Sequence, residues 1–253
     1  MQGPWLVSQR WENMLFAHWR VEPEELRCLL PSRVEPDVAD GGAWIGLVAF
    51  VMRGTRGLGF GPLPDIPELN MRTYVRVDGT PGVWFLTLDA SSRFFAGVGK
   101  SLYGLRYHVS KMTVATDCGR THYLSCRRNA SFAASYAPRG DAYPAARGSI
   151  ERFLFERYRL FSLRRGRLVT ATVEHDPWRL QRAEASIELN RMAPPGLVLA
   201  GEAMTHYSRG VDARISAPTM VPPLVIPNRL AYRRRRCASS GWRAARPLRP
   251  SPP

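Results

Sequence analysis

The chain has 253 residues, 45% hydrophobic and 23% charged, which is enough apolar material for a real core and too much for a disordered chain. Its formal charge of +15 points to nucleic acid only until it is divided: Arg229 to Pro253 holds eight arginines and no acid, so residues 1–228 carry +7. No apolar run approaches the roughly 18 residues of a membrane helix, and with 34 arginines to two lysines the basic bias is chain-wide, so a single arginine is weak evidence for phosphate binding.

From the N-terminus, no secretory leader precedes the aromatic-rich stretch Trp5 to Trp19, and the four cysteines form no C-x-x-C pair. We therefore expect reduced thiols and a cytoplasmic protein. Trp5 to Trp19 reads as a strand, and residues 22–30 as a short helix: Pro23 suits its first turn, Glu24 and Glu25 sit at the positive end of the dipole, and Pro31 stops it. Ala43 to Met52 is a buried strand bounded by the glycine-rich turn Gly54 to Gly61, which lacks the lysine and hydroxyl of a phosphate loop.

Asn70 to Val77 alternates Met71, Thr73, Val75 and Val77 with Arg72, Tyr74 and Arg76, the period of a strand. The turn at Asp78-Gly79 then joins it to Val83 to Leu88 as a hairpin. Gly99 to Met112 is read as a turn framed by Gly99 and Gly104, and it gathers Lys100, Arg106, Tyr107, His108 and Lys111. Beyond it, Val109 to Thr116 and Thr121 to Arg128 are predicted strands, Ser149 caps a helix to Phe155, and residues 160–175 form a second hairpin. Ala183 to Leu189 is helical or extended, and Val198 to Tyr207 holds the last strand or two.

Short strands with two or three short helices place residues 1–221 in one α+β domain with a mainly antiparallel sheet. From Pro222 the composition turns to Pro, Arg, Ser and Ala, and 222–253 is expected to be a disordered tail carrying Arg233 to Arg236.

Several ordered segments together resemble one family. Glu12 to Trp19, Asn70 to Arg76, Gly82 to Phe85, Glu156 to Leu160, His175-Asp176-Pro177-Trp178 and His206 to Asp212 are similar to the signatures of the DUF2071, or YqjF-like, proteins, related to the acetoacetate decarboxylase superfamily. The resemblance spans about residues 5–217 and implies a β-rich cone or barrel enclosing a ligand cavity. The decarboxylases form a Schiff base through one lysine while a second lowers its pKa, in a motif similar to G-R-E-x-x-G-x-P-K-K. Laid on residues 99–108, both glycines match, but Tyr107 and His108 stand at the two lysine positions and Arg106 at the proline. A phenol and an imidazole form no Schiff base, so that chemistry is not expected here.

The candidate site residues follow from these readings. Tyr107 and His108 are a candidate acid/base pair, although neighbours on a strand face opposite ways, so only one of them is expected to line the cavity. Arg72, Arg76 and Arg93 are candidates for holding a carboxylate, Arg72 with Tyr74 being the preferred pair, and Lys100 and Arg106 are further ligand-binding candidates; the face carrying Arg72, Tyr74 and Arg76 is either solvated or turned to the cavity. His18 and His206 join the candidate ligand-binding set, and no H-x-H or H-x-x-x-H spacing calls for a metal. No cofactor is implied. The expected partner is a small keto or carboxylic acid-like ligand, in a protein able to form homo-oligomers, with no membrane partner; nucleic acid is disfavoured. The alternative is an enzyme acting on such a carbonyl compound through Tyr107 or His108; nucleic-acid binding by the tail is the weakest reading.

Overall fold

A long strand rich in aromatic and aliphatic residues organises the fold. In the computed structural model, which describes residues 4–57 and 59–223, β1 runs from Trp5 to Val21 and is buried continuously from Met14 to Trp19. Because side chains alternate across a strand, Met14 and Phe16 enter one apolar core while Leu15, Ala17 and Trp19 enter another. A bulge at Asn13, a non-glycine residue at φ 54°, shifts the pairing between Glu12 and Leu15. Its carbonyl and side-chain oxygens accept the hydroxyls of Tyr136 at 2.8 Å and Tyr207 at 2.9 Å.

After α1 (Pro23–Arg27) and the short β2 (Val34–Pro36) come three long strands, β3 (Ala43–Gly57), β4 (Ile66–Val77) and β5 (Thr80–Ala90). Asp78 and Gly79, both at positive φ, make the two-residue turn between β4 and β5. The helix α2 (Arg93–Tyr103) leads to β6 (Tyr107–Val109), β7 (Lys111–Asp117), β8 (Arg120–Arg127) and β9 (Ala130–Pro144). The helix α3 (Ile150–Phe155) is capped by Ser149, whose hydroxyl accepts the Arg152 N–H at 3.2 Å. Then follow β10 (Arg159–Arg164), β11 (Arg167–Glu174), β12 (Arg179–Asn190), β13 (Met204–Ser216) and β14 (Thr219–Met220).

Seven strands close on themselves in the order β11, β10, β5, β4, β3, β1, β13, the last returning to β11 through Val173↔Ile215. Every pairing in this ring is antiparallel except β10 on β5. From β13 the sheet continues through β12, β9, β8 and β7 and covers the outside of β1, β3 and β4, so that Tyr123, Phe132 and Tyr136 pack against Leu15, Leu47 and Met71. The wall strands are thus buried on both faces. This explains why β3 reads as a continuous apolar run rather than an alternating one.

The α+β, strand-rich expectation with two or three short helices is what the structure shows, with three helices among the described residues. One local reading is corrected: Gly99 to Met112 is not a turn. Residues 99–103 are the end of α2, whose N-cap Ser92 accepts the Phe95 N–H at 3.2 Å and whose C-cap is Gly104 at φ 70°. Gly97 and Gly99 lower its intrinsic helix propensity and conceal it in the sequence. The strand β9 is not among the predicted strands, residues 183–189 are extended within β12, and β13 begins only at Met204. Residues 224–253, with the arginine run of the predicted tail, lie outside the described residues. Among the described residues no helix is long and apolar enough to cross a membrane, and Cys28, Cys118 and Cys126 are unpaired.

Candidate functional site

The inner face of β4 is polar. Alternate positions Glu68, Asn70, Arg72 and Tyr74 turn toward the same core as Phe16, while Leu69, Met71 and Val75 pack outward beneath the outer strands. The guanidinium of Arg72 lies 5.9 Å from the ring centre of Phe16 and 6.0 Å from that of Tyr74. Among the described residues it has no ion-pair partner, and its buried Nε has no hydrogen-bond partner. Asn70 Oδ1, on the same face, is also buried and unpartnered.

His18 from β1 meets Tyr74 across β3, with Nε2 2.7 Å from the phenol oxygen, and its Nδ1 is buried without a partner. The residue between them is Gly46, where a Cβ would come within 3.0 Å of Tyr74 Oη and 3.1 Å of His18 Nε2. Gly46→Ala is expected to lengthen this hydrogen bond and cost about 1–2 kcal/mol, read as a lower urea midpoint with an unchanged slope. Burial first, then the charge of Arg72, holds His18 well below the ordinary histidine range.

Tyr107 comes from β6, beside β5, and its hydroxyl donates to Glu68 Oε2 at 2.6 Å; Asn70 Nδ2 donates to Oε1 at 3.1 Å. A Cβ at Gly99 of α2 would stand 2.4 Å from the Tyr107 ring, so the bare backbone there is what lets the phenol reach inward. Burial pushes the Glu68 carboxyl up to about 7, against the hydrogen bonds from Tyr107 and Asn70 and the charge of Arg72, which lower it. Burial and the adjacent Glu68 push Tyr107 well up.

His206 of β13 is fully buried and also packs on Phe155: both His18 and His206 meet that ring nearly edge-on, at 5.3 and 5.2 Å. Its two ring nitrogens have no hydrogen-bond partner, and Glu151 Oε1 stands 3.8 Å from Nε2. Burial, with Arg182 adding to it, lowers its pKa to about 4.

Of the residues proposed from sequence, Arg72, Tyr74, His18, His206 and Tyr107 are thus brought to the barrel interior. Arg93 and Lys100 are exposed on α2, Arg106 on its connection to β6, and His108 on β6 itself. Sequence reasoning missed Asn70 and the carboxyl it holds, Glu68. Its signal was its place two residues before Asn70 on the face that carries Arg72 and Tyr74. Among the described residues no group of three or more His, Cys, Asp or Glu is arranged to hold a metal ion.

The family model for DUF2071, described as an uncharacterised conserved protein, matches residues 8–212. The uncharacterised protein YqjF of Bacillus subtilis is 35% identical over 218 residues, covering 83% of this chain and 90% of that one. The chain belongs to the DUF2071 family. Solved structures place the DUF2071 fold beside acetoacetate decarboxylase-like proteins: an enzyme of that kind from Sphingomonas wittichii RW1 aligns with a TM-score of 0.62 at 15% identity, over 87% of this chain and 94% of the other. The enduracididine biosynthesis enzyme MppR complexed with pyruvate gives 0.62 at 13% identity, over 87% and 91%. Acetoacetate decarboxylase from Legionella pneumophila gives 0.60 at 13%, over 87% and 88%. At these identities the likeness is one of fold. In this DUF2071 chain the only two lysines, Lys100 and Lys111, both lie on the exposed surface.

Proposed function

We propose that the barrel interior binds a short keto or carboxylic acid without forming a covalent bond to it, with Arg72 holding the carboxylate. Arg72 carries the reading. A guanidinium packed among aromatic rings, with no carboxylate partner among the described residues and a buried unpartnered Nε, is a cation whose counter-charge is supplied from outside the chain. Asn70 Oδ1 adds an acceptor, and Phe16, Tyr74 and Phe155 supply apolar walls. The pyruvate complex of MppR, a protein of the same fold, is consistent with a ligand of this size and charge.

The test is calorimetric titration of the whole chain with pyruvate, acetoacetate and their simple carboxylate analogues. Saturable binding that falls with added salt supports the reading; no heat from any member of the panel at millimolar concentration overturns it. Borohydride added with each keto acid is expected to leave the intact mass unchanged, because both lysines face outward. A substrate-dependent adduct would show instead that a lysine reaches the ligand.

A further inference from the structure

We propose that Glu68 and Tyr107 form a proton-transfer pair that interconverts the keto and enol forms of the acid held by Arg72. The inference rests on the binding reading above and adds a reaction to it.

Its basis is a contrast among buried carboxylates. The described residues include three: Asp37, Glu68 and Asp89, at 4%, 5% and 0% exposure. Asp37 is bound by Arg76 at 2.8 Å and Arg157 at 2.7 Å. Asp89 takes Arg127 on both oxygens, at 3.0 and 2.9 Å, and Ser110 at 2.6 Å. These two are structural ion pairs, each carboxylate held by at least one guanidinium. Glu68 has only neutral donors, the Tyr107 phenol and the Asn70 amide. A buried carboxyl so placed is free to gain and lose a proton, and its pKa near neutrality agrees with that.

The binding reading sets the substrate class, and the strand places the pair beside it. Glu68 and Arg72 share one face of a strand four residues apart, about 13 Å between Cα atoms at the usual rise. Both side chains extend from this face, and the charge of Arg72 is felt at Glu68, so an acid held by Arg72 lies on the side of the pair. With the carboxylate on Arg72, the carbonyl and the adjacent carbon lie toward Glu68 and Tyr107.

The step balances without a cofactor. Glu68 removes a proton from the carbon next to the carbonyl, the C–H electron pair becomes a C=C bond, and the carbonyl π pair moves to oxygen. Protonated Glu68 then donates to the Tyr107 oxygen, reversing their 2.6 Å hydrogen bond, and Tyr107 passes its own proton to the enolate oxygen. The carboxylate and phenol are regenerated, and one proton has moved from carbon to oxygen.

The experiment is solvent exchange: pyruvate in D2O with the full-length protein, followed by the loss of its methyl proton signal, with pyruvate affinity measured in parallel by calorimetry. Exchange faster than in buffer is expected, rising with pH through about 7 as Glu68 ionises. Glu68→Gln and Tyr107→Phe are each expected to slow it by about 100-fold while changing the pyruvate affinity only a few-fold. Wild-type protein that binds pyruvate without exceeding buffer exchange overturns the proposal and leaves the binding reading standing, as does unchanged exchange in Glu68→Gln. Absence of binding overturns both. Because Tyr107→Phe leaves the Glu68 backbone and packing untouched, it decides the matter if Glu68→Gln folds poorly.

Discussion

Replacing Arg72 with methionine is expected to weaken binding of short keto and carboxylic acids by roughly 100-fold, close to 3 kcal/mol, the size of a desolvated charge-assisted contact. The fold is expected to survive. Arg72 makes no ion pair among the described residues, and methionine fills similar space against Phe16 and Tyr74 while removing a buried donor that has no acceptor. Chemical stability curves in urea and the calorimetric titration together separate the two effects. Equal affinity in Arg72→Met would show that the counter-charge is supplied elsewhere. A stability loss matching the loss of binding would show that Arg72 serves the core instead. Arg72→Lys keeps the charge without the planar fork and is expected to fall between the two.

Glu68→Gln is expected to stabilise the protein at pH 8, by on the order of 3 kcal/mol, and to leave its stability at pH 4.5 nearly unchanged. The sign follows from the proton count. The carboxyl is raised from its ordinary 4.5 to about 7 in the folded chain, so between those values the native state binds more protons than the unfolded state. Stability contributed by Glu68 is full below pH 4.5 and is lost as pH rises through about 7. His18 and His206, both lowered by burial, act in the opposite sense: the stability they contribute is present above about pH 6.5 and lost as pH falls. The wild-type profile mixes opposed slopes, and the difference between wild type and Glu68→Gln at each pH isolates the carboxyl. Urea denaturation from pH 4.5 to 8 reads it directly. A constant difference across that range would mean that Glu68 does not titrate in the window.

Such a carboxyl is a cost to folding that a purely structural residue would not carry, and the same chain shows the cheaper solution at Asp89, where Arg127 neutralises the charge. Retaining Glu68 against neutral donors is consistent with a chemical role for the interior.

Much of the scaffold was legible from local patterns. The alternation of Met71, Thr73, Val75 and Val77 with Arg72, Tyr74 and Arg76 marks a strand, Asp78-Gly79 makes its turn, and Ser149 caps α3, because each of these depends on a few adjacent residues. The family was legible too, since its motifs are ordered along the chain and the match covers residues 8–212. Helix α2 was not, because two glycines weaken a helix that packing against the sheet restores.

What only the tertiary structure decided is which way the polar face points. A period of two says that Arg72 and Tyr74 lie together, but it is blind to whether that side meets water or a core. The outer strands β7–β9 and β12, packed on the outside of β1, β3 and β4, bury the apolar side and leave the polar row as the inner wall. The partner of Glu68 was equally beyond local pattern: Tyr107 lies 39 residues away and reaches it because β6 runs beside β5 and Gly99 leaves room for its ring. The sequence by itself determined the strands, the turns and the family; closure of the barrel, which brings distant strands into contact through long-range pairing, determined the site.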